Sequence, residues 1–161
     1  MSIEKVREYF RPLGREQDIM EFPVSSATVE LAAQAVGVEP ARIAKTLSFK
    51  KGDGCILIVT AGDTKIDNHK FKAKFAMKAK MLTPDEVESL VGHAIGGVCP
   101  FGVNYDQVEV YTDCSMQRFT TVFPACGSSN SAIELTCDEL FDYSHSLEWI
   151  DVCKLPDEAA Q

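Results

Sequence analysis

The sequence predicts an α+β fold, with a curved, mixed β-sheet flanked by helices in a single domain over residues 1–161. Three observations predict it. Helical patterns mix irregularly with short apolar runs and do not repeat as regular βαβ units. One run, Cys55-Ile56-Leu57-Ile58-Val59-Thr60, is apolar almost throughout, as in a strand covered on both faces. No linker, repeat or low-complexity stretch divides the 161 residues, a length that suits one sizeable core.

Each element has a local reason. Ile3, Val6 and Phe10 make residues 3–11 an amphipathic helix, and Pro12 and Gly14 end it. Residues 18–22 alternate enough for a short strand. Ser25 or Ser26 can cap the next helix, whose apolar side is Val29, Leu31, Ala32, Ala35 and Val36 and whose C-terminal cap is Gly37. Pro40 suits the first turn of a short helix over 40–44. Strands at 46–49 and 55–60 flank Lys51-Gly52-Asp53-Gly54, strong hairpin punctuation. Residues 66–79 read as a helix with Ile66, Phe71, Phe75 and Met77 turned partly inward. Thr83-Pro84-Asp85-Glu86 opens another that ends at Gly92. Residues 93–105 are loop, followed by a strand at 107–111 and a helical turn at 115–119. Residues 120–126 and 131–135 read as strands. Thr136 caps a helix through Leu140, residues 147–152 form a last strand, and the tail from Lys154 is expected to fray.

Composition narrows the functional classes. Apolar content is 45% and charged content 25%, ordinary for a soluble globular chain. No apolar run approaches the roughly 20 residues that cross a bilayer, and the first residues lack a signal-type apolar stretch. The expected location is the cytoplasm, with no membrane partner. The six cysteines, Cys55, Cys99, Cys114, Cys126, Cys137 and Cys153, include no C-x-x-C pair and read as free thiols. A net charge of −8 disfavours broad binding to nucleic acid. Yet Lys65, Lys70, Lys72, Lys74, Lys78 and Lys80 face only Asp67 within residues 65–80. That window is either a solvated helix face or a local seat for a polyanion, with Lys70, Lys72 and Lys74 as candidate phosphate contacts.

Lys45 stands out because it sits where a short helix runs into a strand, and lysine is almost never fully buried without a partner. Downstream lie two glycine-bearing segments, Gly96-Gly97-Val98-Cys99-Pro100-Phe101-Gly102 and Gly127-Ser128-Ser129-Asn130-Ser131. A cation with two loops able to offer main-chain N–H groups can hold an anion or an oxyanion. The plainer alternatives are a strand-edge lysine and two tight turns. No phosphate P-loop and no G-x-S-x-G elbow occurs. His69, His93 and His145 have no metal-ligand spacing, and a Cys99 nucleophile with His93 lacks an orienting third group. Neither metal nor cofactor is expected.

Three segments together carry a resemblance: Ala44-Lys45-Thr46-Leu47, Gly97-Val98-Cys99-Pro100-Phe101-Gly102, and Ala125 to Leu135 with its Gly127-Ser128-Ser129-Asn130 core. In order and spacing they resemble the YbaK / prolyl-tRNA synthetase editing-domain family of aminoacyl-tRNA deacylases, over roughly residues 2–153. The resemblance implies a trans-editing enzyme, a metal-independent hydrolase of the ester between a small amino acid and a mischarged tRNA, often tRNA(Pro), with a synthetase as possible partner. It matches Lys45 to the family's key lysine, with Gly102 and Gly127 beside it as carbonyl-polarising groups. Thr46 falls where some branches carry asparagine and pocket selectivity is set. Gly97, Pro100, Phe101, Ser128, Ser129 and Asn130 match substrate-binding loops. Cys99 departs from the serine or alanine often found before that proline. The competing reading is a non-catalytic tRNA- or synthetase-binding module of the same fold. An aminoacyl ester is already activated, so positioned water, or assistance from the neighbouring ribose hydroxyl, suffices if the developing oxyanion is held.

Overall fold

The computed structural model describes residues 2–156; of the tail from Lys154 expected to fray, Lys154 itself pairs with Lys65 in a strand, and residues 157–161 lie outside the described residues. The centre of the molecule is a hairpin of β2 (Ile43–Lys51) and β3 (Gly54–Ala61), antiparallel from Lys51–Gly54 to Ala44–Ala61. Gly52 turns it with φ +58°, a conformation that costs a glycine little and other residues more.

Around the hairpin a six-stranded sheet runs in the order β8-β6-β2-β3-β5-β9, with β5 (Val108–Asp113), β6 (Thr121–Pro124), β8 (Leu135–Thr136) and β9 (Ser146–Ile150). Pairs β2/β6, β3/β5 and β5/β9 are parallel, and β2/β3 and β6/β8 antiparallel. The sheet curls into a half-barrel, the mixed and curved arrangement expected.

Period-2 alternation sends β3 side chains to two separate cores. Leu57, Val59 and Ala61 join Val6 and Phe10 of α1 (Ser2–Phe10), Val87 and Val91 of α4 (Pro84–Val91), and Leu140 of α5 (Cys137–Tyr143). Ile56 and Ile58 join Phe49, Tyr111, Ile150 and Phe71 of α3 (Asn68–Phe75). A third, smaller cluster joins Ile43 and Phe123 to Ala32 and Ala33 of α2 (Val29–Val36). Coverage on both faces explains why β3 is buried from Cys55 to Ala61 and apolar without alternation. Among the described residues no helix is long and apolar enough to cross a membrane. All six cysteines are free thiols.

Three local expectations shift. Thr28, not Ser25 or Ser26, caps α2, its hydroxyl accepting from Leu31 N–H at 3.1 Å. The helix expected over 66–79 is shorter, because Asp67 accepts from the N–H groups of His69 and Lys70 and starts α3 at Asn68. Before it, β4 (Lys65–Ile66) pairs with β10 (Cys153–Lys154). After it, residues 80–82 run beside β2. The strand expected over 131–135 is two short ones: β7 (Ser131–Ala132) pairs with β1 (Met20–Glu21), and β8 with β6. Pro124 closes β6 and has no N–H to extend a ladder, so the returning chain changes partners.

His93 follows α4 and is fully buried. Its Nε2–H donates to the Phe101 carbonyl at 3.0 Å, which leaves Nδ1 with no partner among the described residues. Burial pushes its pKa down, the Phe101 carbonyl opposes this, and Lys5 adds to it. The folded state therefore keeps His93 neutral where an unfolded chain takes up a proton. Stability from this source is intact above the ordinary histidine pKa of about 6.5. It is lost as pH falls below that value, until the folded state is itself protonated. Thermal denaturation across pH 4–8 should show this acid limb in the natural protein and a flatter one in His93→Gln; an equal slope assigns the acid sensitivity elsewhere.

Candidate functional site

A cavity of about 240 Å³ opens where β2 is flanked by α2, the segment 80–82 and the loops at 95–98 and 125–132. Lys45 and Thr46 both line it. The strand period places Lys45 on the face of Leu47 and Phe49, and Thr46 on the face of Ala44 and Ser48. The two neighbours therefore reach the cavity from opposite sides of the sheet.

Lys45 is half-buried and its ammonium donates to the carbonyl of Thr64. Burial pulls its pKa below the usual lysine value, while Cys153, Asp63 and Glu30 work the other way. One of its three ammonium hydrogens is committed to Thr64. Lys45 is the one ionisable residue among the described cavity walls. The rest are hydroxyls (Ser26, Thr28, Thr46, Ser48, Ser131), apolar side chains and main chain.

The two glycine loops meet. A Cβ on Gly97 would lie 2.7 Å from Gly127 C and Ser128 N, so the loops touch backbone to backbone. Only a residue without a side chain permits that approach. A Cβ on Gly96 would stand 3.5 Å from Ala27 and 3.6 Å from Ser129. The carbonyl of Ser129 accepts from Ser26 N–H at 2.6 Å, tying the approach to α2 into the same seam.

The predicted residues divide accordingly. Lys45 and Thr46 form walls, and Gly97 sits between the wall residues Gly96 and Val98. Gly127 and Ser128 pack behind Gly97. The Ser128 hydroxyl lies 2.8 Å from Ser131 Oγ and 2.9 Å from Asn130 Oδ1, and Asn130 Nδ2 donates to Phe22 O at 3.0 Å. These side chains hold the loop, and Ser131 is the one that faces the cavity. Pro100, Phe101 and Gly102 lie elsewhere. The Phe101 ring is buried 4.8 Å from Phe10, and Gly102 rests against Lys5 and Tyr9 of α1. Their place is beneath α1, because the chain turns inward after Val98. Lys70 and Lys74 are engaged within the chain: Lys70 contacts Asp151 at 3.2 Å and donates to Cys153 O at 3.0 Å, and Lys74 pairs with Glu148. Lys72 is exposed.

Sequence reasoning missed Ser26, Thr28, Val29, Leu82, Val87 and Phe123 as walls. Only Ser26 carried a signal, as a candidate helix cap. Cys99 and His93 do adjoin, at 3.5 Å, but both are buried and burial pushes the thiol up to about 12. That environment suits a packed thiol, not a nucleophile. The described cavity walls include no carboxylate, imidazole or thiol to ligate a metal. Asp113, Cys114 and Asp151 cluster elsewhere, but both Asp113 oxygens accept main-chain N–H groups, from Ser115 and Val152, each at 2.9 Å.

Comparison with known proteins agrees with this geometry. The model of the aminoacyl-tRNA editing domain family matches residues 24–143. The chain is 59% identical over 155 residues to the uncharacterized protein YwhH of Bacillus subtilis, covering 96% of this chain and 98% of that one. It is 26% identical over 114 residues to the proline–tRNA ligase of Thermotoga maritima, covering 70% of this chain but 20% of the ligase. A solved structure described as a candidate trans-editing enzyme for prolyl-tRNA synthetase superposes with a TM-score of 0.85 at 30% identity, covering 95% of this chain and 97% of that one. A cation-bearing cavity at the seam of two glycine loops, on a curled mixed sheet that this structure shares, thus coincides with the matched segment, and the chain belongs to the aminoacyl-tRNA editing domain family.

Proposed function

We propose that the protein is a trans-acting editing deacylase, hydrolysing the ester between a small amino acid and the terminal ribose of a mischarged tRNA. The observation that carries this reading is that Lys45, half-buried, is the one ionisable residue among the described walls of a cavity of about 240 Å³. Drug-sized ligands occupy pockets of about 300–1,000 Å³. The smaller volume here suits a small acyl group, with the nucleoside left at the mouth.

The chemistry asks little of the protein. Water, assisted by the neighbouring ribose hydroxyl, adds to the ester carbonyl carbon and gives up a proton. The carbonyl becomes an oxyanion, the carbon–oxygen bond to ribose breaks, and the ribose oxygen leaves with a proton. What the protein supplies is position and a fixed positive field. Lys45 provides that field, toward either the carbonyl oxygen or the adjoining phosphate. Val98, Leu82 and Val87 limit the acyl side chain, the task expected of Pro100 and Phe101. Size discrimination is coarse, because one methylene is worth about 1–3 kcal/mol, so related small amino acids are expected to be cleaved together.

Deacylation of tRNA(Pro) charged separately with alanine, serine, cysteine, threonine and proline tests the reading. At least one non-cognate ester should turn over well above the blank. No turnover with tight binding would favour the binding module, a reading that the scarcity of proton-transfer groups in the walls makes the specific rival. In Lys45→Ala, kcat/KM should fall by about 100-fold or more. Wild-type rates in that variant would remove Lys45 from the mechanism.

The loop seam gives a second expectation. In Gly97→Ala the new Cβ meets main chain at 2.7 Å, which cannot rotate away. Overpacking of this kind costs about 1–3 kcal/mol, and the displaced loops should also lower turnover. Urea denaturation and the deacylation assay check both, and an unchanged midpoint with full activity would show that the seam yields freely.

A further inference from the structure

The edge of β2 that faces away from β3 is paired only in pieces. Its parallel pairing with β6 covers Ile43–Phe123 and Ala44–Pro124 and goes no further. Pairing resumes at Ser48, whose carbonyl accepts from Leu82 N–H at 3.2 Å, and at Lys50, whose N–H donates to Lys80 O at 2.8 Å. Main-chain groups of successive strand residues point to opposite edges, so Ala44, Thr46, Ser48 and Lys50 share this one. Neither partner reaches Thr46. Its N–H and C=O face the gap between the two partners. The gap opens into the cavity, because Ala125 beyond β6, Met81 and Leu82 on the other partner, and Thr46 itself all line it.

We propose that the main chain of Thr46 binds the aminoacyl group as though it were one residue of an added β-strand. The inference rests on the deacylase reading above for its substrate class and adds the element that recognises it. An α-aminoacyl ester carries an ammonium donor and a carbonyl acceptor on either side of one carbon, the spacing of N–H and C=O within a strand residue. Two residues directly opposite in an antiparallel ladder exchange both hydrogen bonds. Thr46 C=O therefore takes the substrate ammonium, and Thr46 N–H donates to the ester carbonyl, where negative charge develops. Strand addition at an open edge is a general mode of peptide recognition, reduced here to a single residue.

Two features of the cavity support this occupant. Its described walls offer no carboxylate, so a buried α-ammonium needs a neutral acceptor, and an ammonium left without one is strongly disfavoured. The Lys45 side chain leaves β2 on the opposite face and is held at Thr64 O, which separates the two like charges. The ligand class is thus an α-amino acyl group and not a plain acyl group of the same size.

The test uses two non-hydrolysable probes, amide-linked alanyl adenosine and the amide-linked propionyl compound that lacks only the amino group. Titration calorimetry on the natural protein should give at least tenfold weaker binding for the propionyl compound. The Thr46 amide resonance should move on adding the alanyl probe. Replacing the Thr46 N–H by oxygen, through incorporation of the α-hydroxy acid analogue of threonine, keeps the side chain and leaves the β3 ladder donors in place. That variant should bind the alanyl probe about tenfold more weakly. Equal affinity of the natural protein for the two probes overturns the proposal without recourse to any variant, and so does an unperturbed Thr46 amide. If deacylation occurs without discrimination between probes, the pairing falls and the deacylase reading stands. If discrimination occurs but no charged tRNA is hydrolysed, the deacylase reading falls and the pairing stands.

Discussion

The uneven pairing of β2 is the constraint on which the site depends. One edge is zipped to β3 along its whole length, which fixes the position of every β2 side chain. The other edge is shared between two partners that part company around Thr46. β6 ends at Pro124, and Gly127, with φ +90°, turns the following chain away. The space released by that divergence is the cavity. A longer β6 ladder would close it, because the strand edge, α2 and the glycine loops meet only where β6 has left.

Electrostatics act locally in this molecule. The chain carries a net charge of −8, so a polyanion approaching at long range meets repulsion. Within about one Debye length, roughly 8 Å at physiological salt, the nearest fixed charges dominate. For the cavity that charge is Lys45, the one ionisable residue among its described walls, whose half-buried ammonium is held at the Thr64 carbonyl. Partial burial lowers the local dielectric and strengthens its field nearby. The same burial pulls its proton affinity down, and the carboxylates of Asp63 and Glu30 limit that loss. The lysines of α3 do not add to this field directly. Two of them are neutralised by Asp151 and Glu148, and α3 covers the sheet face opposite the buried part of the glycine loop.

Much of the architecture was legible because it rests on local chemistry. The β2–β3 hairpin followed from Gly52-Asp53 between apolar runs, and helix starts followed from Thr83 and Thr136, each of which forms a capping box with the glutamate three residues on. Local signals failed where the choice was between partners. Nothing in Ser131 to Leu135 announces that its ends pair with different strands, because both halves have equal strand propensity. The helix over 66–79 was overextended because its apolar spacing continued past Phe75, whereas Ala76 in fact adopts φ +57° and releases the chain toward β2.

The site shows the same division. Residue type and chain order determined that Lys45 and two glycine-bearing loops were worth joining, since a cation and flexible main chain are recognisable from composition alone. Tertiary structure decided which parts of those loops reach the cavity: Gly96 and Val98 do, while Pro100, Phe101 and Gly102 turn under α1. It also decided that Ser26 and Thr28, distant in sequence and plain in composition, become walls. The reason is physical. Propensity and capping act over a few residues and are written in the chain, whereas a cavity is the volume that distant segments fail to fill, and a strand edge is free only when no other segment arrives to pair with it.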